Sequence, residues 1–150
     1  VSTKVRPHQI EQTYKGKIAG IYVQDSPKYR MIVNLKGFGH NEVKEFKLKN
    51  VHKIFENEVP SDALILPVYF QYGALETREE GRSRAALEIA KISKQYNVQS
   101  ASYDEEFGAV VIQIYSTNPK LDQANFDKVN PFKGQALPTK INFSDIRFLE

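Results

Sequence analysis

The chain has 150 residues, no cysteine and a formal net charge of +3. That length holds one domain with a real core, or two very small ones, and 26% charged with 41% hydrophobic residues is globular rather than disordered composition. Without cysteine there can be no disulfide, thiolate zinc site or cysteine nucleophile.

No apolar run nears the roughly 20 residues that a membrane span needs, and no charged-then-apolar leader opens the chain. We therefore expect a soluble protein with no membrane partner. The lack of cysteine fits a reducing, cytoplasmic setting, although a start at Val1 is also compatible with a leader already removed.

Charge is unevenly spread. Residues 1–58 hold eleven Lys/Arg against six Asp/Glu, and residues 59–150 hold ten against twelve. A basic first part beside a near-neutral second part points to a polyanionic partner. We expect a basic β-rich module over 1–58 and an α+β module over 59–150, unless the two merge into one continuous domain.

In chain order, Val1–Arg6 reads as a loose start ended by Pro7. Gln9–Tyr14 alternates and is expected as a strand. Lys17–Val23 is β-rich and runs into the turn residues Asp25-Ser26-Pro27. Tyr29–Leu35 is the next strand, with Tyr29, Met31, Val33 and Leu35 on one side. Gly37–Asn41 is a turn, Glu42–Leu48 alternates again, and Val51–Phe55 closes the group. Short strands joined by Gly, Pro and Asn turns suggest a small curled sheet or a barrel of SH3-like or Sm-like architecture.

Pro60 marks a boundary. Ala63–Phe70 is strongly apolar and the best candidate for a central strand, although Pro67, which cannot donate to the ladder, implies an edge or a bulge. Thr77 and Glu80 then make a capping-box pattern opening a helix over about 78–96, with Asn97 as its C-terminal cap. Ala85, Ala86, Ile89, Ile92, Ser93 and Tyr96 form its apolar stripe, and Glu80, Arg84, Glu88, Lys91, Lys94 and Gln95 fall opposite. Arg78 and Arg82 share the sector of the stripe, where they either face an anion at the helix start or overhang the sheet and pair with Glu79 and other acids.

Val98–Tyr103 and Ala109–Ser116 read as a hairpin, residues 117–138 as a loop anchored by Phe126, Val129 and Phe132, and Lys140–Phe148 as a last strand. The expected class is α+β, mostly β: the N-terminal sheet or barrel, then a β-α-β-β-(loop)-β unit with one long helix.

No cofactor motif, metal-ligand spacing or nucleophile elbow is present, and we expect no cofactor, no metal and no catalytic residue. The aromatics are more informative. Tyr14, Tyr22, Tyr29, Phe38, Phe46 and Phe55 are interleaved with Lys15, Lys17, Lys28, Arg30, Lys36, Lys44, Lys47, Lys49 and Lys53. Rings for base stacking beside cations for phosphates are how β modules hold single-stranded nucleic acid.

The expected function is therefore non-enzymatic nucleic-acid binding through Lys15, Lys17, Tyr22, Lys28, Tyr29, Arg30, Lys44 and Lys47, with Arg78, Arg82 and Arg84 as a second phosphate contact. The alternative is a protein-interaction or self-assembly module, for which Leu87 is an odd apolar residue on a charged helix face. A third reading is a Mg²⁺-dependent nuclease, from Asp25 with the triplets Glu42-Val43-Lys44 and Glu45-Phe46-Lys47.

Overall fold

The computed structural model describes residues 7–26, 28–47, 52–54, 57–59 and 65–148. They fall into two units, Val1–Thr77 and Arg78–Glu150.

The first unit opens with helix α1 (Pro7–Thr13) where the alternation of residues 9–14 suggests a strand. Proline suits a first helical turn, because its missing N–H would have no partner there. Ile10 and Tyr14 then stand one turn apart, and both reach the core. Strands β1 (Ile18–Gln24), β2 (Arg30–Lys36) and β3 (Glu42–Lys47) follow. Beyond them a small pair forms from β4 (His52–Ile54) and β5 (Asn57–Val59).

The seventh element, β6 (Ile65–Ala74), inserts between β2 and β3. The sheet order is β1-β2-β6-β3, with β2 and β6 parallel and the outer pairs antiparallel. The first module thus runs past residue 58 to Thr77, and β6 is a central strand rather than the start of the second module. Pro67 is accommodated because the pairing with β2 begins only at Val68, which leaves Pro67 beside β3 alone.

Among the described residues the sheet does not close into an SH3-like or Sm-like barrel. Met31, Val33 and Leu35 of β2 share one face with Leu66, Val68 and Phe70 of β6, and Ile10 of α1 packs on that face. A helix, not curling of the sheet, buries the apolar side.

The second unit begins with helix α2 (Arg78–Ile92), shorter than the span to residue 96, with hydrogen-bonded turns carrying it to Tyr96. The hairpin is present as β7 (Asn97–Asp104) and β8 (Ala109–Tyr115). The Asp104 carboxylate accepts from the N–H groups of Glu106 and Phe107, which shapes the turn. The expected loop instead contains helix α3 (Pro119–Val129). Pro119 there starts a helix rather than breaking one. Strand β9 (Thr139–Ser144) lies parallel to β8, and α3 is the crossover that a parallel pair requires.

Both helices lie on one face of this sheet: Ala85, Ile92, Phe126 and Phe132 pack on Val110, Ile112, Ile114 and Ile141. Phe126 and Phe132 anchor the segment as expected, whereas Val129 is exposed. The stripe buried on α2 is Gly81, Ala85, Glu88 and Ile92, rotated from the expected one so that Ala86 and Ser93 face water. Gly81 is required by close approach, since a Cβ there would meet the Tyr103 ring at 2.3 Å.

Candidate nucleic-acid interface

The first unit brings three chain segments together at one end of its sheet. The Lys36 N–H donates to the Lys17 carbonyl at 2.7 Å, and the Gly37 N–H donates to the Ala74 carbonyl at 3.1 Å. The turn before β1, the loop after β2 and the end of β6 are therefore neighbours.

Each segment is shaped by glycine or a side-chain hydrogen bond. Gly16, at φ 79°, closes the turn in which the Lys17 N–H donates to the Tyr14 carbonyl. Gly37 has φ 89°, a region costing most other residues about 1–2 kcal/mol. Gly39 lies so near the Tyr72 ring that a Cβ would come within 2.6 Å. The Asn41 side-chain oxygen accepts from the Tyr72 N–H at 2.7 Å.

This pinned loop holds the Phe38 ring fully in water. Lys15, Lys17 and His40 are exposed at the same end, and so is Leu75. Sequence reading includes Phe38 among the interleaved aromatics but does not single it out. The available signal is its place between Gly37 and Gly39, since a ring on a two-glycine turn has little chain around it to bury it.

Tyr14 ties this end to the core. Its ring lies 5.0 Å from that of Phe70, and its hydroxyl donates to Glu42 at 3.3 Å. Burial, then the Glu42 carboxylate, pushes its phenol above the usual tyrosine pKa. Tyr29 is also raised, first by burial and then by Asp25.

The other expected contacts do not gather here. Lys28 lies in the β1–β2 turn, at the opposite end of the two strands. Tyr29 packs against the apolar core, and its hydroxyl is buried with no hydrogen-bond partner among the described residues. Tyr22 and Arg30 project from the sheet face away from α1. There the Tyr22 hydroxyl accepts from Asn34, while Arg30 donates twice to Gln24 and lies 4.9 Å from the Tyr69 ring. Lys44 sits on the α1 side, 5.4 Å from the Phe70 ring and 3.6 Å from Glu42. Lys47 ends β3, and its side chain lies outside the described residues.

The arginines of α2 face acids of their own unit. Arg78 is 3.1 Å from Glu105 and 3.8 Å from Glu79, and Arg82 is 3.8 Å from the other Glu105 oxygen. Arg84 donates to Glu88 at 3.1 Å, to Thr139 at 3.0 Å and to the Pro138 carbonyl at 3.3 Å. Glu88, placed by helical spacing on the solvent side, is 2% exposed. It also accepts from Thr139 at 2.5 Å and Gln135 at 3.3 Å. This cluster ties residues 135–139 to α2. Counted by unit, the first holds eleven Lys/Arg against eight Asp/Glu and the second ten against ten, so the charge excess belongs to the first.

Asp25 follows edge strand β1, while Glu45 lies on the opposite edge strand β3. Three strand spacings, about 14 Å, separate those edges, too far for both carboxylates to bind one Mg²⁺ at ~2.1 Å. Among the described residues no three His, Asp or Glu side chains are placed to hold a metal ion. No described helix is long and apolar enough to cross a membrane. A scan against protein-family models and a search of curated proteins give no match to this chain, so the site rests on its own geometry.

Proposed function

We propose that this protein binds nucleic acid through the loop end of its first unit, with Lys15 and Lys17 meeting phosphates and the Phe38 ring stacking on a base. The observation that carries the reading is Phe38, a fully exposed aromatic on a loop fixed by Gly39 against Tyr72 and by Asn41. The loop backbone that carries this ring is already fixed by those contacts, so stacking has only the side chain left to order. The net positive charge of that unit adds attraction for phosphate. Arg78, Arg82 and Arg84 are left out, because carboxylates already face their guanidinium groups.

Fluorescence anisotropy with a labelled single-stranded oligonucleotide tests this. Two phosphate contacts on a single strand give a log–log salt slope of about −1.4. Affinity should then fall roughly sevenfold between about 50 and 200 mM salt. Phe38→Ala should cost about 1–3 kcal/mol of binding, and Lys15→Glu with Lys17→Glu should flatten the salt dependence. Absence of binding at the lower salt refutes the reading.

A protein-interaction module is the second reading, and Leu87 favours it: 69% exposed on α2, on the side turned from the core. Phe126 and Phe132 do not add to it, because both are buried within their own unit.

A further inference from the structure

The outward side of α2 has no part in the core of its own unit. Gly81, Ala85, Glu88 and Ile92 are the buried residues of the helix. On the other side Glu80, Ser83, Leu87, Ala90 and Lys94 are all exposed. They follow one another at spacings of three and four residues, the seam by which one helix packs along another. Lys94 lies just past Ile92, within a turn in which the Tyr96 N–H donates to the Ile92 carbonyl at 3.0 Å, so it keeps the helical register.

The order of this seam is its own complement. It reads acid, small, leucine, small, base, and its charged ends stand seven residues, about two turns, to either side of Leu87. Glu79, beside Glu80 and also exposed, adds to the acidic end. Turned end for end about Leu87, the helix sets acid against base and leucine against leucine. A second copy run parallel would set like charges together at both ends. Acids early and bases late also suit a helix dipole. The dipole gives no reason, however, for a leucine 69% exposed between two small residues on the line joining those ends.

We infer that two copies of this chain pair through α2, antiparallel, about a two-fold axis beside Leu87. Each leucine packs on the other and on the small residues Ser83 and Ala90, and the acidic end of each helix faces Lys94 of the other copy. The seam specifies a second copy rather than an unrelated helix, because the pattern that complements it is its own reverse. One helix on one helix is a smaller contact than the about 800 Å² per partner of a standard interface, so the dimer is weak and fills only at high protein concentration. This pairing rests on the interaction-module reading of Leu87 and not on the loop end of the first unit.

Sedimentation equilibrium of the full chain up to about 1 mM tests it. The parent should form reversible dimers and nothing larger, since a two-fold pairing closes on itself. Added salt should loosen the parent dimer. Lys94→Glu should dimerise about tenfold more weakly and be tightened by salt, which screens the new repulsion. The chain has no cysteine, so a single substitution supplies its only thiol. In a glutathione buffer Leu87→Cys should form a disulfide dimer by itself. Ser83→Cys and Ala90→Cys should each fail to do so, because the paired copies of each stand roughly 12 and 9 Å apart along the helices, beyond the ~7 Å limit for a bridge. Mixed together, those two should link. Self-linking at all three positions would mean parallel helices and overturn the inference. So would Lys94→Glu pairing as tightly as the parent, or a parent chain still monomeric at about 1 mM. If that monomer held another protein through Leu87, only the self-pairing would fall; if it held none, the interaction reading would fall with it.

Discussion

Replacing Arg84 by methionine separates a structural arginine from a ligand-binding one. The substitution keeps the apolar stem and removes every guanidinium bond to Glu88, Thr139 and Pro138. Glu88, with its side chain only 3% exposed, would then carry a buried carboxylate without its cation. Orphaning one partner of a buried pair costs about 3–5 kcal/mol. Glu88 keeps Thr139 and Gln135 as donors, and the Arg84 side chain is 15% exposed, so the expected loss is at the lower end, about 3 kcal/mol. Urea-dependent hydrogen exchange at the β8 amides reports the second unit alone. With a slope near ~1.5 kcal/mol/M, the midpoint should fall by about 2 M. Adding Glu88→Gln removes the orphaned charge while keeping an acceptor for Thr139, and should recover at least ~1 kcal/mol. Oligonucleotide binding at the loop end should be unchanged. A cost below about 0.5 kcal/mol, typical of an exposed pair, would refute the structural assignment, and lost binding with intact stability would return Arg84 to the ligand.

Other perturbations have equally definite outcomes. Gly81→Ala gains up to ~1 kcal/mol of helix propensity, yet its methyl group overlaps the Tyr103 ring, so thermal unfolding should show a net loss of about 1–2 kcal/mol. The same change in a Tyr103→Leu background should be neutral or stabilising, and an equal loss in both backgrounds would contradict the close-packing explanation. Tyr14 and Tyr29 have raised folded-state pKa values, so the unfolded chain ionises first. Their contribution is complete below the ordinary tyrosine value of about 10 and disappears as pH climbs through the folded values. Stability measured from pH 9 to 12 should therefore fall less steeply in Tyr14→Phe/Tyr29→Phe than in the parent chain, and parallel curves would refute this. If Leu87 docks a second copy, light scattering will show concentration-dependent mass that Leu87→Glu abolishes; a monomer in both forms removes self-association through α2.

Much of the fold is legible where periodicity has one solution. β2 and β8 alternate or run apolar in a way only strands explain, and the hairpin turn announces itself in Asp104–Gly108. The misreadings arise where one pattern serves two periods. Ile10 and Tyr14 suit a strand or a helical turn, and only the packing of both against one sheet face decides between them. Pro119 reads as a breaker until it is seen to occupy the one helical position that tolerates it. Nor can local sequence say which sheet a strand joins: Ile65–Ala74 is plainly β, but its pairing with β2 is a long-range fact. Glu88 was hidden because a buried carboxylate is defined by partners more than forty positions away, Gln135 and Thr139. At the loop end, the lysines were visible in the sequence, and the exposure of Phe38 was not.

The central position of β6 also orders events in time. Until it is made, β2 has a partner on one side only, and Met31, Val33 and Leu35 lack half of their eventual neighbours. At about 5–20 residues per second, a ribosome takes roughly 2–8 s to pass from Lys36 to Ala74. Through that interval the nascent chain carries an open, apolar strand edge, of the kind that invites chaperones or pairing with another unfinished copy. Slower translation within residues 37–74 should therefore lower the soluble yield of this protein more than the same delay placed after Thr77.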